Sequence, residues 1–321
     1  MSLATAELLE DRGEAALSED FFRSRPFLDA EGATHTLRIS GEDAELVAPL
    51  IVRQIGDGPE RDAISPYGYP GLVPAERGRG YASIGGKSST TLDPAAVDWS
   101  ATGLVSVFLR HTLAAPPLAG ATERIVVQVA DPALPPKSRA SDRRQARRNL
   151  EAGYTLGLVP GDETTPEQRA GFVALYEQTM RRTDAADRYF FGAAYFDRVL
   201  EADQTWLALA HAPDGYLAAA SLATVSDGYL HYYLSGSADS HLSDSPMKNV
   251  VFRLIDHATD LDLPLNLGGG LSPGDPLEEF KRGFANRQEP WHTSEIICDP
   301  EPYSQLSASK SAGAFFPAYR A

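Results

Sequence analysis

The chain has 321 residues, 43% of them hydrophobic, enough for one large core or two smaller ones, and two packed halves are expected. A formal charge of −15 at pH 7 argues against general, sequence-independent binding to nucleic acid, DNA included, because most of the surface repels a polyanion. Cys298 is the single cysteine and the scattered histidines show no HxxxH or HxH spacing, so no internal disulfide, no metal and a reducing, cytoplasmic setting are expected.

At the N-terminus, 1–12 carries Glu7, Glu10 and Asp11 where a signal peptide needs a basic flank and an apolar run. Nowhere are there eighteen consecutive apolar residues to span a membrane. Phe21-Phe22-Arg23 is predicted to end a helical region, and 35–40 and 44–54 alternate like strands around Gly41-Glu42-Asp43. The loop Ser65-Pro66-Tyr67-Gly68-Tyr69-Pro70-Gly71 sets two aromatics among glycines and prolines. That composition suits either a rigid connecting turn or a holder for a peptide or small ligand. Arg110 follows the apolar run 104–109, as a surface strand-end arginine or as a partner for an acceptor carboxylate or phosphate.

The Pro-rich stretch 131–136 breaks regular structure and places the expected domain boundary between 134 and 135, giving halves 1–134 and 135–321. Next, 137–148 holds six basic residues against Asp142 alone, a local charge of +5 that leaves the remainder near −20. Ser141 is predicted to cap a helix that Gly153 ends. On it Arg143, Arg144, Arg147 and Arg148 form one broad stripe, read either as a solvated face or as a patch that docks part of an RNA. Thr165-Pro166-Glu167-Gln168 is a capping-box start, with Phe172, Leu175, Tyr176, Thr179 and Met180 as the buried stripe of its helix. Tyr195-Phe196-Asp197 leads to strands at 206–211 and 216–225 around Pro213-Asp214-Gly215, repeating the plan of 21–54 at an offset of about 170 residues.

A strand at 229–235 is followed by a helix opened at Ser245-Pro246, with Met247, Val250, Val251, Leu254, Ile255 and Ala258 at core spacing. A strand at 263–267 comes next, so the halves read as α/β. That strand runs into Gly268-Gly269-Gly270. Asp275-Pro276-Leu277-Glu278 then supplies the N-cap, first-turn proline and N3 glutamate of a short helix stopped by Gly283. Glycines after a strand let a ligand approach closely, and a helix start offers unpaired amides. Leu277, Phe280 and Phe284 equally fit a buried stripe, and Lys281 suits a helix C-terminus. Residues 304–313 are expected to form a loose polar stretch.

Gly268-Gly269-Gly270 followed by Phe280-Lys281-Arg282-Gly283-Phe284 resembles the closing segment of the Fem-type aminoacyl-tRNA-dependent transferases, which are built from two GNAT-like (acetyltransferase-like) domains. The basic 143–149 segment, the 172–180 helix, Tyr189-Phe190-Phe191 and Tyr195-Phe196 resemble that family's second-domain opening, and 65–71 its first-domain loop. The resemblance implies an α/β chain with mixed sheets flanked by helices, the first domain on the acceptor side and the second on the aminoacyl-tRNA side. It implies that an acceptor amine attacks the ester joining an amino acid to the tRNA 3′ end, with aminoacyl-tRNA as donor substrate and no cofactor. Phe280 would shape the site around the tRNA terminus, and Lys281 would bear positive charge near the oxyanion. Arg143, Arg144, Arg147 and Arg148 would carry the tRNA, with Lys248 and Arg282 as lesser contacts. Tyr67, Tyr69 and Arg110 would serve a small peptide or amino-acid-like amine acceptor.

A cytoplasmic monomer that makes a peptide natural product, such as an antibiotic, or a peptidoglycan precursor is the resulting expectation. The chain departs from the family in lacking the long charged heptad insertion that some members use as a coiled-coil arm, and in its acidity. Two rival readings stand beside it. One is an acyl-CoA N-acyltransferase, opposed by the absence of glycine in 238–247, where such enzymes cradle the CoA pyrophosphate. The other is a non-catalytic binding protein on the same fold.

Overall fold

The computed structural model describes residues 4–42, 45–75, 91–114, 116–308 and 315–321. The chain divides into two compact units, Met1–Arg124 with Pro290–Ala321, and Ile125–Glu289. The boundary expected from sequence lies at 134/135. The segment from Pro290 onward joins the first unit because it supplies a strand to that unit's sheet.

In the first unit β1 (Ala4–Leu9), β2 (His35–Ser40), β3 (Glu45–Gln54) and β4 (Arg61–Ile64) form an antiparallel meander. β5 (Val73–Pro74) pairs with β3, β6 (Val97–Asp98) runs parallel to β1, and β7 (Ser106–Arg110) runs parallel to β4. Leu37, Ile39, Ala48, Leu50, Val107 and Leu109 bury one core. The helix expected to end at Phe21-Phe22-Arg23 instead follows it. Phe21–Arg23 is a 3-10 turn, and α1 (Arg25–Glu31) starts where Ser24 Oγ accepts the Phe27 N–H at 3.4 Å, with Pro26 in its first turn. Ser-x-Pro is a helix-start signal, which decides the direction. Asp43 and Ala44, of the expected turn and strand start, lie outside the described residues.

β8 (Thr122–Ala130) begins in the first unit and continues into the second. There follow α2 (Ala140–Glu151), β9 (Thr155–Pro160), α3 (Pro166–Arg182), α4 (Ala193–Val199), β10 (Thr205–His211), β11 (Leu217–Ser226) and β12 (Tyr229–Ser237). After them come α5 (Met247–Asp260), β13 (Leu265–Gly268), α6 (Pro276–Arg282), β14 (Arg287–Ile297) and α7 (Pro300–Ser307). β9 to β12 form an antiparallel meander, β13 runs parallel to β12, and β8 is antiparallel to β13. Val250, Val251, Leu254 and Ala258 of α5 pack on the sheet beside Leu230 and Leu265.

The two units therefore follow one strand plan, a four-strand meander, then a parallel strand, then an antiparallel one, and the repeat read from sequence is real. In the first unit the last strand is β14, registered Thr293 to Arg110 and Ile297 to Ser106. In the second it is β8, registered Ala130 to Leu265. Each unit thus closes its sheet with the strand that chain order would assign to the other.

Helix ends explain where the site elements stop. α3 has the full capping box at Thr165 and Gln168, and at 17 residues it is the longest helix among those described. α2 ends in Gly153 at φ 100, whose amide donates to Leu150 O at 3.0 Å while Tyr154 N–H reaches Asn149 O at 3.0 Å. Its start differs from expectation: Ser141 lies inside the helix, and the N-cap is Arg139 with no side-chain cap, its amide held by Gly283 O at 2.9 Å. Residues 304–307, expected to be loose, belong to α7, which Pro300 opens. Residues 309–313 of that stretch lie outside the described residues. No helix among the described residues is long and apolar enough to cross a membrane.

Candidate active site

β13 ends at Gly268, which turns the chain at φ 76 while its amide donates to Asn266 Oδ1 at 2.8 Å. Close approach fixes the next two glycines. A Cβ on Gly269 would stand 2.9 Å from Ile125 Cδ1, and one on Gly270 would stand 2.4 Å from Asp275 Oδ1. Asp275 gathers the loop by accepting from the amides of Leu271 at 2.6 Å, Ser272 at 3.0 Å and Glu278 at 2.7 Å. Those amides, the Glu278 bond foremost, hold its carboxyl below the usual range.

Lys281 lies on the face of α6 turned toward this loop. It is 9% exposed, and its Nζ donates to Gly269 O at 2.7 Å. Burial lowers its pKa to about 8, against the opposing pull of Asp275. Phe280 is partly buried, edge-on to Phe284 at 5.2 Å. The expected apolar stripe holds at Phe284, but Leu277 is 41% exposed. Seven residues make barely two turns, and α6 spends its buried positions on Glu278 and Lys281 instead.

The start of α2 meets the end of α6, while the body of α2 packs on α5. Beside the bond from the Arg139 amide to Gly283 O, the Arg139 side chain meets Glu279 at 2.9 Å. Asp142, buried on α2, pairs with Lys248 of α5 at 2.9 Å. Lys248 is thereby committed to an interhelical ion pair, and Arg282 to pairs with Glu278 and Glu279. Arg143, Arg144, Arg147 and Arg148 are all exposed, and none pairs with a carboxylate among the described residues. Arg143 bonds to Ser138, and Arg148 to Gln145 Oε1 at 2.6 Å.

The 238–246 connection is a 3-10 helix, Asp239–Asp244, followed by Ser245 in the left-handed region at φ 50. Asp244 lies just ahead of α5, which has no side-chain cap, while Asp239 pairs with Arg182 of α3. Asp244 accepts the Tyr154 hydroxyl at 2.6 Å, and its carbonyl accepts from Asn149 at 2.8 Å and Gln145 at 3.1 Å.

In the first unit the 65–71 loop is fixed from below. Fully buried Arg23 donates to Pro70 O at 2.7 Å and pairs with Asp20 at 2.6 Å. A Cβ on Gly68, at φ 103, would stand 2.4 Å from Phe22 Cε1. Tyr67 and Arg110 come together, the guanidinium 5.8 Å from the ring centroid, and Arg110 also donates to Ser65 O at 2.8 Å. Tyr69 stands edge-on to Phe22 at 5.5 Å and to Trp291 at 5.7 Å. Sequence reasoning missed Trp291, whose Nε1 donates to His111 O at 2.8 Å. It also missed His111, which burial, aided by His292, pushes down to about 4 and so keeps neutral. Burial pushes the Cys298 thiol up to about 12, which leaves it inert as a nucleophile at neutral pH.

Residues 136–282 match the family model described as an acetyltransferase (GNAT) domain. Among solved structures, that of FemX aligns with TM-score 0.61 at 11% identity, over 94% of this chain and 99% of that one. A C-terminal DUF2156 domain from Agrobacterium fabrum aligns with TM-score 0.57 at 14% identity, over 89% and 90%. L-PGS from Bacillus licheniformis aligns with TM-score 0.51 at 12% identity, over 92% and 94%. A search of the curated proteins gave no match. The fold is therefore of the GNAT-like α/β class. More particularly it is Fem-like, since the FemX alignment runs through both units. The acetyltransferase-domain match supports a transferase of the acyl-transfer kind.

Proposed function

We propose that the protein transfers an amino acid from aminoacyl-tRNA to the amine of a small peptide or amino-acid-like acceptor. The carrying observation is the α2 stripe: four exposed arginines without carboxylate partners among the described residues, on a helix whose N-cap residue bonds the end of the one that bears Lys281. In a chain of net charge −15 such a stripe favours a polyanionic donor at this place. Lys248 and Arg282, neutralised in ion pairs, contribute little net field and few direct contacts.

In this reading the acceptor nitrogen attacks the ester carbonyl carbon, a C–N bond forms, and the bond to the ribose oxygen breaks. The amine proton passes to that leaving oxygen. The Lys281 ammonium steadies the oxyanion of the tetrahedral intermediate, and Phe280 walls the site. Tyr67, Tyr69 and Arg110 bind the acceptor, Arg110 suiting its carboxylate. No cofactor is needed, because the ester is already activated. The setting is a cytoplasmic monomer, and the product a peptide natural product or a peptidoglycan precursor.

Transfer by purified protein should be abolished by ribonuclease and not restored by acyl-CoA. Under single-turnover conditions with charged tRNA, Lys281→Ala should lower the rate about 100- to 1000-fold, the usual loss of an oxyanion donor. An unchanged rate removes Lys281 from the chemistry.

The second reading, an acyl-CoA N-acyltransferase, is favoured by the acetyltransferase-domain match. Opposing it, the strand-to-helix connection where a pyrophosphate would lie has no glycine and carries Asp239 and Asp244. Transfer from acyl-CoA in ribonuclease-treated protein would decide for it.

A further inference from the structure

The turn between β10 and β11 and the Asp239–Asp244 helix bring two side chains together that no reading above uses. Tyr216 and His241 stack with ring centroids 5.5 Å apart and planes only 11° from parallel. Tyr216 is 52% exposed although it is a large aromatic, and Leu242, next to His241 in the chain, is 42% exposed. The pair is held in place. Tyr154 meets the His241 ring edge-on at 6.4 Å, Ser240 Oγ bonds His241 Nδ1 at 2.8 Å, and Asp214 accepts the Tyr216 amide at 2.9 Å.

The location gives the pair a use. Tyr154 follows α2 directly, and Gly153 at the helix end lies against Pro213 of the same turn, a Cβ there standing 3.6 Å from the proline ring. Asn149 and Gln145 of α2 hold the Asp244 carbonyl. α2 therefore has Gly283, beside Lys281, at its first residues and the Tyr216–His241 stack at its last. Between these ends its open face is Arg143, Arg144, Arg147 and Arg148. Asp244 and Asp214, which keep their charge while accepting the Tyr154 hydroxyl and the turn amide, and Glu151 at the end of α2 are outnumbered by the four arginines.

We propose that Tyr216 and His241 form a stacking platform for unpaired nucleotides of an RNA 3′ end whose phosphates follow the arginine stripe of α2. A basic track lined with exposed aromatic faces is the usual construction of a single-strand site, because every base has a face to stack. The inference rests on the aminoacyl-tRNA reading and adds to it the side chains that tell an unpaired end from a duplex.

The test uses the full chain and two labelled RNAs of equal phosphate number, a single-stranded oligonucleotide ending in CCA and a blunt hairpin, followed by fluorescence anisotropy across a salt series. Tyr216→Ala should weaken the single strand roughly tenfold, leave the hairpin unchanged, and keep the salt slope, since no charge is lost. Tyr216→Phe should bind like wild type, and His241→Ala should weaken the single strand in the same selective way. Thermal melting of the exposed-site variants should match wild type. If Tyr216→Ala and His241→Ala bind the single strand as wild type does while Arg144→Ala with Arg147→Ala loses affinity, the platform is wrong and the donor reading stands. If wild-type protein binds neither RNA, both fall.

Discussion

Lys281 loses most of its water when α6 closes on the 268–270 turn, and the cost appears as a pKa near 8 in place of 10.5. The unfolded chain binds the proton more tightly, so stability from this group is lowest below about pH 8 and grows as pH rises toward 10.5. Chemical denaturation at pH 7.5 and 9.5 should show wild type gaining on Lys281→Met over that interval. If the ammonium steadies the oxyanion, the ratio of wild-type to Lys281→Ala single-turnover rates, in which the titration of the acceptor amine cancels, should fall as pH passes above about 8. Gly68 offers a purely structural contrast. Its φ of 103 and the Phe22 ring against it leave no room for a methyl group. Gly68→Ala should cost on the order of 1–3 kcal/mol, read as a lowered Tm.

Among the elements, α2 carries the heaviest functional assignment. Replacing Arg143, Arg144, Arg147 and Arg148 by Ala should leave the helix intact, since Ala favours it, and flatten the slope of log K against log salt for RNA by up to about 3. Thr165→Ala, by contrast, should lower stability by about 1 kcal/mol through the lost cap of α3, with RNA binding untouched. These elements were legible in the sequence because their signals are local. The capping box at Thr165, the Asp275 cap of α6 and the glycine that ends α2 each lie within a few residues of what they control. What stayed hidden depends on partners far apart in the chain. Nothing near Lys248 announces Asp142, nothing near Lys281 announces the Gly269 carbonyl, and Tyr216 and His241 meet only because two loops converge. Ser141 shows the same limit from the other side, a good local cap displaced because tertiary contact with Gly283 fixes the cap two residues earlier, at Arg139.

For the whole molecule the two halves matter less as a tandem than as an exchange. β7 has β14 on one side and β4 on the other, and the C-terminal segment is tied down further by Arg320 on buried Asp62 and by Tyr319 on Ser106 at 2.8 Å. A chain ending at 289 should therefore leave β7 as an open edge, and limited proteolysis should cut its first unit far faster than that of the full chain. Composition announced two cores, but a strand taken from beyond the second unit has no signature in composition or periodicity. The exchange also bears on synthesis. A ribosome delivers residues in order, and a domain whose strands were contiguous would finish folding while the next was still being made. Here the first unit must wait, its sheet one strand short, until β14, made after the whole of the second unit, has left the exit tunnel.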